Sequence, residues 1–246
     1  TLLMVCIAAL AIFSVRDFPR GAERRLAGHG DSIRGMLSGS WAVLMTPGIL
    51  PLASAGVALS AGNTFLGIWG GPYLYDVHGL SEVERGTSLA FMALAGVVGH
   101  FLFGHAARWL NTLKWLVVAG CCGICVIMTT MAVLSGVSVT VATAAFACLG
   151  LACSFPAILL AHARALVPED LVGRGMTTVN TGIMVSIALM QLGVGAVIAR
   201  AHTVLNGDFP EMSYRMAFAF FAAMAFVSTL CYLQVRDRPP RSRNQP

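Results

Sequence analysis

The sequence predicts an all-α membrane protein, a bundle of six transmembrane helices preceded by part of another helix. Of the 246 residues, 57% are hydrophobic and only 11% are charged, and the mean hydropathy is +0.77. A soluble protein of this size needs a more polar surface. The apolar residues also fall into seven long runs, separated by short loops that carry Arg. Such runs must be helical in lipid, because only a helix satisfies its own backbone there.

The first run covers residues 1–13 and is too short to cross a membrane alone. Its positive charges follow the apolar stretch, which argues against a signal peptide. We therefore expect residues 1–15 to be the end of a truncated transmembrane helix. Six complete spans should follow within a domain over residues 46–235. They are B at 46–70, C at 86–106, D at 115–135, E at 139–163, F at 176–199 and G at 214–234.

Residues 16–45, between the first run and span B, are predicted to form a central loop. The part at 16–32 contains four Arg and Pro19 and is typical of a linker. A short interfacial helix should follow, because apolar residues then recur at helical spacing on one face. These residues are Ile33, Met36, Leu37, Trp41, Leu44 and Met45.

The distribution of Lys and Arg predicts the orientation in the membrane. Thirteen of the 16 lie in the segments that should share one side, leaving Arg85, Arg200 and Arg215 on the other. Lys and Arg are retained on the cytoplasmic side. We therefore expect a multi-pass protein of the cell membrane, with the central loop and a tail at 236–246 in the cytoplasm. The net charge of +5 then reflects topology, and no nucleic-acid partner is expected.

Aromatic residues support this arrangement of spans. All four Trp and all four Tyr fall near predicted span ends. Amphipathic rings are most stable at the interface between water and lipid. The pattern therefore predicts that these eight side chains form interfacial belts.

Two turns carry a recognisable pattern. Residues 69–81, between B and C, read Trp-Gly-Gly-Pro-Tyr-Leu-Tyr-Asp-Val-His-Gly-Leu-Ser. Residues 168–175, after E, read Pro-Glu-Asp-Leu-Val-Gly-Arg-Gly. With the span count and the loop charges, these turns resemble the C-terminal half of a major facilitator superfamily transporter, from the end of helix six through helix twelve. The resemblance covers nearly the whole chain.

The turn between C and D departs from the family pattern. The family has a gating motif there, a Gly followed by an Asp-Arg pair. Gly104 and Arg108 match it and are the gating-turn candidates, but Ala107 stands where the acid would be. The resemblance therefore gives no support to an interdomain salt bridge at this turn.

The resemblance implies two inverted three-helix repeats, B–D and E–G. B and E would border a central cavity, C and F would lie at the sides, and D and G outside. Transporters of this kind bind substrate near the membrane midplane, between two halves. The implied partners are a small-molecule substrate, the lipid bilayer and the missing N-terminal half of the same transporter.

Polar residues within spans are the candidates for the substrate path, because no acid falls within a predicted span and no Lys or Arg lies in a span interior. Asn63 and Thr64 lie in B, in a Gly-rich stretch that we expect to bend. Asn180 and Gln191 lie in F, 11 residues apart and hence on one face. His100 lies deep in C. An amide in a span either bonds substrate or bonds a neighbouring helix for about 1 kcal/mol, and the sequence leaves both roles open.

Cys122 and Cys125 have the spacing of a metal or redox pair. They lie inside an apolar helix without a second ligand pair, whereas a closed zinc site needs four soft ligands. We interpret them as small packing residues, and we expect neither a metal nor a cofactor.

The predicted function is secondary transport of a small solute by alternating access. A non-transporting membrane receptor or scaffold is the alternative, although no loop has room for a soluble domain. An intramembrane enzyme is the third possibility. The sequence has no His-Glu-x-x-His motif, no Gly-flanked catalytic Ser and no phosphate-binding Gly-Lys-Ser/Thr turn, so we expect no enzyme.

Overall fold

A computed structural model describes residues 41–168, 171–204 and 210–237, and no strand occurs in these ranges. Six helical stretches within them are long and apolar enough to cross a membrane, which confirms the all-α fold class. The predictions for residues 1–15, 16–40 and 238–246 lie outside the described residues. The elements are α1 (Ile49–Thr64), a π-helical segment (Phe65–Trp69), α2 (Gly70–Asp76), α3 (Glu82–Trp109), α4 (Lys114–Val133), α5 (Val139–Ala152), α6 (Pro156–Leu166), α7 (Val172–Val204) and α8 (Pro210–Tyr232).

The helices pack as two related sets of three. The first set is α1–α2, α3 and α4, and the second is α5–α6, α7 and α8. The second helix of the first set, α3, packs on α5, which opens the other set. The second helix of the second set, α7, packs in the same way on α1, which opens the first set. Likewise α4 packs on α5, α8 packs on α1, and α4 and α8 pack on each other. Each contact thus has a counterpart, as expected for two three-helix repeats.

The fraction of buried residues also follows the position of a helix within its set of three. In the most apolar part of each span, 67% of the α1–α2 residues are buried, and 50% of those in α5–α6. Only 6% are buried in α3 and 17% in α7. The opening helix of each repeat is therefore central in the bundle, and the second helix is peripheral.

The loops meet at two ends of the bundle. At one end, the carboxylate of Asp237 contacts the start of α4, and Leu166 approaches Gly48 at the start of α1. At the other, Gly136 after α4 contacts Glu211 at the start of α8. We call these the basic end and the opposite end, because Arg108, Lys114, Arg164, Arg174 and Arg236 lie toward the first.

Helices α1 and α8 cross through small polar residues. The Ser54 hydroxyl donates to the carbonyl of Ser228 at 3.1 Å, and the Ser228 hydroxyl donates back to the carbonyl of Ser54. The backbone N–H of Ala58 also donates to the Ser228 hydroxyl, at 3.3 Å. Small residues allow this close approach, and each such bond contributes about 1 kcal/mol in a membrane.

Helices α4 and α8 are joined at the opposite end by side chains that bond backbone. Arg215 of α8 donates to the carbonyls of Ala132 and Val133, at 2.9 and 2.8 Å. The carboxylate of Glu211 accepts from the N–H of Gly136 at 2.7 Å. The last carbonyls of α4 have no partner within their own helix, so a cation at this position stabilises the helix end.

The same two helices are joined at the basic end. The carboxylate of Asp237 accepts from the Thr112 hydroxyl at 2.6 Å and from the N–H groups of Leu113 and Lys114. The ammonium of Lys114 donates to the carbonyl of Leu233 at 2.7 Å. An anion thus lies at the start of α4 and a cation at the end of α8, which complements both helix dipoles.

We expect the Asp237 cap to stabilise the fold in a pH-dependent way. Burial alone raises the pKa of this carboxyl, but the bonds from Thr112, Lys114 and Leu113 outweigh it and hold the pKa below its ordinary value of 3.8. The stabilisation is therefore complete above about pH 4 and is lost as the pH falls through the lowered pKa. At pH 7, Asp237→Ala should lower the free energy of unfolding by about 1 kcal/mol. Thermal unfolding of the detergent-solubilised protein measures this change. Asp237→Asn is the control that keeps an acceptor oxygen, and equal melting of the Ala variant and the parent protein at pH 7 would contradict this role.

Two spans are interrupted. The π-helical segment follows Thr64, within the Gly-rich stretch expected to bend. The other span breaks at Cys153–Phe155 and restarts at Pro156, whose missing N–H is harmless in a first helical turn. The Ser154 hydroxyl donates to the carbonyls of Gly96 and Gly150, both at 2.9 Å, which ties the break to α3.

Two predictions about the spans need correction. Span B does not end at residue 70, because α2 continues it to Asp76 and the turn before α3 covers only residues 77–81. The Tyr side chains also do not all form an interfacial belt. Tyr73, Tyr214 and Tyr232 are buried inside the bundle, whereas Tyr75 is 58% exposed. Their rings lie near helix ends but face inward, where other aromatic rings and hydrogen bonds hold them.

Candidate functional site

The candidate site centres on the point where α1 gives way to the π-helical segment. Asn63 is exposed there, although α1 is the most buried of the spans. Its neighbour Thr64 is 1% exposed, and its hydroxyl oxygen finds no hydrogen-bond partner among the described residues. Gly67, one turn further on, borders open space. The central helix therefore presents one free amide and one unpaired hydroxyl at its irregular turn.

Helix α7 crosses α1 at Ser60, about one helical turn before this irregular turn. The Ser60 hydroxyl donates to the carbonyl of Ile183 at 3.2 Å. Gly56 allows the approach, because a Cβ there would lie 2.8 Å from the Ile183 side chain. The two helices run in the same direction, since the starts of both lie against the residues that end α6.

This crossing positions the two Asn residues. Asn63 lies three residues beyond Ser60, and Asn180 three residues before Ile183, so they are on neighbouring helices on either side of the contact. At 1.5 Å per residue they are separated by roughly 9 Å along the helix axis. Both side chains are exposed. The two amides are too far apart for a direct bond, but one small molecule could contact both.

The remaining path candidates lie further away. Gln191 is exposed on α7, three turns from Asn180 and on the same face. His100 is exposed on α3, which packs along α5, so the fold does not bring it to either Asn. The Nδ1 atom of His100 lies 2.7 Å from the carbonyl of Gly96 and donates to it, because a carbonyl only accepts.

An aromatic cluster supports the irregular turn from behind. The ring of Phe65 lies 4.8 Å from that of Phe218 and 5.0 Å from that of Phe146, between centroids. Tyr73 of α2 packs edge-on against Phe146 and Phe218 as well. At the outer limit of the cluster, the Tyr214 hydroxyl donates to the Asp76 carboxylate at 2.5 Å. These contacts hold the segment that follows Asn63 and Thr64.

The gating-turn candidates lie at the basic end. Gly104 borders open space, and Arg108 is exposed in the last turn of α3. Ala107, which replaces the acid of the family pattern, is only 5% exposed. A carboxylate at that position would be buried within this bundle, so the small residue suits its surroundings.

One buried histidine was not among the candidates from the sequence. His162 lies near the end of α6 and is fully buried. Its Nε2 atom donates to the carbonyl of Arg236 at 3.0 Å, and Nδ1 lies 2.7 Å from the Tyr232 hydroxyl. These bonds tie α6 to the end of α8, and both partners are about 70 residues away in the sequence, where no local pattern could reveal them.

The Cys residues of α4 are dispersed rather than clustered. Cys121 is buried, Cys122 is exposed, and the thiol of Cys125 approaches the carbonyl of Ala222 at 3.7 Å. Within the described ranges, no group of three or more His, Cys, Asp or Glu side chains could hold a metal ion. The CxxC pair therefore has no further ligands nearby in the described part of the chain.

Charge is confined to the helix ends. In α1 to α8 every Asp, Glu, Lys and Arg lies within the first or last two turns of its helix. The middle of each span offers only neutral polar groups, chiefly hydroxyls, amides and imidazole. The site is thus suited to hydrogen bonding rather than to neutralising an ionic ligand.

A multi-pass bundle with interrupted central helices that carry neutral polar groups is an arrangement typical of membrane transport proteins. The family model of the Major Facilitator Superfamily matches residues 1–190, and the chain belongs to this family. Members of the family are transporters rather than enzymes, and they bind small-molecule substrates within the membrane. A search of curated proteins found no match to the chain.

Proposed function

We propose that this chain forms one half of a secondary transporter, which moves a small neutral solute across the cell membrane by alternating access. One observation carries the proposal: the most buried span exposes an amide, Asn63, at its irregular turn. A polar side chain that opens from a central helix is costly unless it has a partner. A solute that binds between this bundle and a second one supplies that partner.

The second bundle would be the N-terminal half of the same transporter. Helices α3 and α7 support this assignment, because they bury only 6% and 17% of their most apolar parts. Asn180 lies on α7 itself, and α7 packs on α1, which carries Asn63. A complementary half packed against the exposed sides of α3 and α7 would cover those sides and enclose the amides.

Each candidate residue has a proposed role. Asn63 and Asn180 would hydrogen-bond the solute directly, and Thr64, which is buried next to Asn63, would border the path. Gln191 and His100 lie further along the path. Gly104 and Arg108 would form the gating turn at the basic end, where Arg108 is exposed.

A neutral substrate is favoured by electrostatics. An anionic solute would require a cation at the midplane, and a cationic one an anion, because an unpaired charge in a dry site is strongly destabilised. The described helices place their charges at the ends alone. A carboxylate that couples transport to protons would then belong to the other half.

The proposal predicts that this chain alone does not transport. Only one wall of the substrate path would be present, so the 246 residues reconstituted into liposomes should give no saturable uptake of any candidate solute. Co-reconstitution with the complementary half should restore saturable flux. Substrate-selective flux from the chain alone would instead indicate a self-assembling six-helix carrier.

We further propose that the basic end faces the cytoplasm, following the bias in Lys and Arg. In a Cys-free background, a single Cys at Ser81 or Asn206 should react with an impermeant reagent added to intact cells. A single Cys at Ala27 or Asn244 should react only after the membrane is opened. The reverse pattern of labelling would invert the proposed orientation.

A further inference from the structure

A wedge-shaped groove of about 390 Å³ opens between α3 and α4. The two helices are joined by the short turn 110–113, in which Asn111 has a left-handed φ of 48°. Beyond the turn they separate, because α3 packs along α5 whereas α4 packs along α8. Helix α5 closes the back of the groove. Its floor is buried and is formed by Leu116, Gly120 and Ala152. Its walls are exposed and are formed by Leu102, Ala119 and Cys148.

Small residues bring α4 close to α5 at the floor of this groove. A Cβ at Gly120 would collide with the ring of Phe155 and would lie 2.9 Å from the carbonyl of Ala152. A Cβ at Gly123 would lie 3.1 Å from the Cβ of Ala152. Backbone therefore packs on backbone at the floor, and the space in front of it is not filled by side chains of the described chain. The lining is almost wholly apolar.

The mouth of the groove lies at the basic end and carries positive charge. Arg108 and Lys114 flank the turn, and Trp109 and Trp115 beside them are 80% and 56% exposed. The carboxylate of Asp237 is the acidic group that reaches this turn, and it bonds Thr112 and the start of α4. Exposed Trp and cations together are typical of the depth at which lipid headgroups lie.

The size of the groove decides what fits it. One turn of an α-helix, about 10 Å across and 5.4 Å long, occupies roughly 400 Å³. A helix of a second protein could therefore insert no more than a single turn. A narrow, flexible hydrocarbon chain parallel to α3 and α4 can follow the wedge along its length.

We propose that this groove holds one acyl chain of an anionic glycerophospholipid, with the phosphate beside Arg108. Because lipid surrounds the spans, no displacement of water drives this binding. The preference comes instead from van der Waals contact with the groove and from the exposed cation at its mouth. The site is separate from Asn63 and Asn180 and does not depend on the proposed transport function.

The test measures the lipid that stays bound to the purified chain. The 246-residue protein is reconstituted into vesicles of equal phosphatidylglycerol and phosphatidylcholine with matched acyl chains, re-extracted in mild detergent, and analysed by native mass spectrometry. We expect one retained lipid per chain, with phosphatidylglycerol preferred. Ala119→Phe and Cys148→Phe, which fill the groove from opposite walls, should each abolish retention. Ala223→Phe, at an exposed position on α8, is the matched control and should retain the lipid.

The headgroup contact is tested separately. Arg108→Gln should keep the bound lipid but reduce the preference for phosphatidylglycerol about fivefold, because one cation near the surface contributes about 1 kcal/mol. Thermal unfolding identifies any variant that fails to fold, and the second groove variant then decides the result. Equal retention by a folded groove variant, or no preference for the anionic lipid, would overturn the proposal. A dimer of this chain that dissociates in the Ala119→Phe variant would also overturn the proposal, because the groove would then be an interface between copies.

Discussion

Replacing Asn63 or Asn180 by Ala should weaken apparent substrate affinity about 5- to 150-fold in the completed transporter, because each change removes a hydrogen bond to solute of about 1–3 kcal/mol. Both side chains are exposed in this bundle, on neighbouring helices that cross at Ser60 and Ile183. Neither amide is needed to hold that crossing together. Membrane abundance should therefore stay unchanged while the concentration dependence of uptake shifts.

The Cys pair of α4 provides the matched control for this experiment. Cys122→Ser with Cys125→Ser retains small side chains on a helix that packs on α8, away from the α1–α7 crossing. Uptake should be close to that of the parent protein. If transport survived both Asn changes but collapsed with the Cys pair, the assignment of α1 and α7 to the substrate path would be wrong.

Gly150→Ala should destabilise the bundle by about 1–3 kcal/mol, because the α3–α5 contact has no room for an added methyl group. A Cβ at Gly150 would lie 2.5 Å from the backbone carbonyl of Met92. Backbone cannot rotate away as a flexible side chain can, so α3 and α5 would have to separate. The Ser154 bond to the carbonyl of Gly96 would weaken with them.

Gly104→Ala is the matched control, since Gly104 lies on α3 with nothing within 4 Å of an added Cβ. Ala favours a helix over Gly by about 1 kcal/mol, so this variant should be as stable as the parent or slightly more so. Thermal and denaturant unfolding in detergent would measure both. Equal stability of the two variants would show that the α3–α5 contact adapts more readily than its geometry indicates.

The spans could be predicted from the sequence because hydropathy and charge act along the chain itself. Long apolar runs define the six spans, and Pro156 and the Gly residues around Asn63 indicate the two interruptions. The end of span B was wrong for a local reason. Pro72 was interpreted as a turn residue, but it falls in the first turn of α2, after the π-helical segment. The irregular hydrogen bonding of the π-helical segment lets the span continue past a residue without an N–H.

Interactions between distant segments could not be predicted in this way. His162 bonds Tyr232 and the backbone of Arg236, and the start of α4 is capped by Asp237. Each pairing depends on how three helices meet, which hydropathy does not encode. The inward-facing Tyr rings escaped prediction for a related reason. An aromatic residue near a span end suits either the interface or the interior, and only packing decides between them.

The exposure of the candidate residues also depended on packing. Asn63 and Thr64 are adjacent in the sequence and both polar, so composition gave them the same role. The fold separates them, because one is exposed and the other is 1% exposed without a partner in the described ranges. Asn180 and Gln191, which helical periodicity places on one face of α7, are both exposed.

The contacts between α4 and α8 have a consequence for biosynthesis. A ribosome delivers α4 to the membrane well before α8, yet Arg215, Glu211 and Asp237, which complete both ends of α4, all belong to the later segment. Until that segment emerges, the terminal carbonyls and N–H groups of α4 lack these partners. The nascent bundle therefore completes these contacts only when α8 is inserted. A polypeptide arrested before α8 should be recognised by membrane quality control.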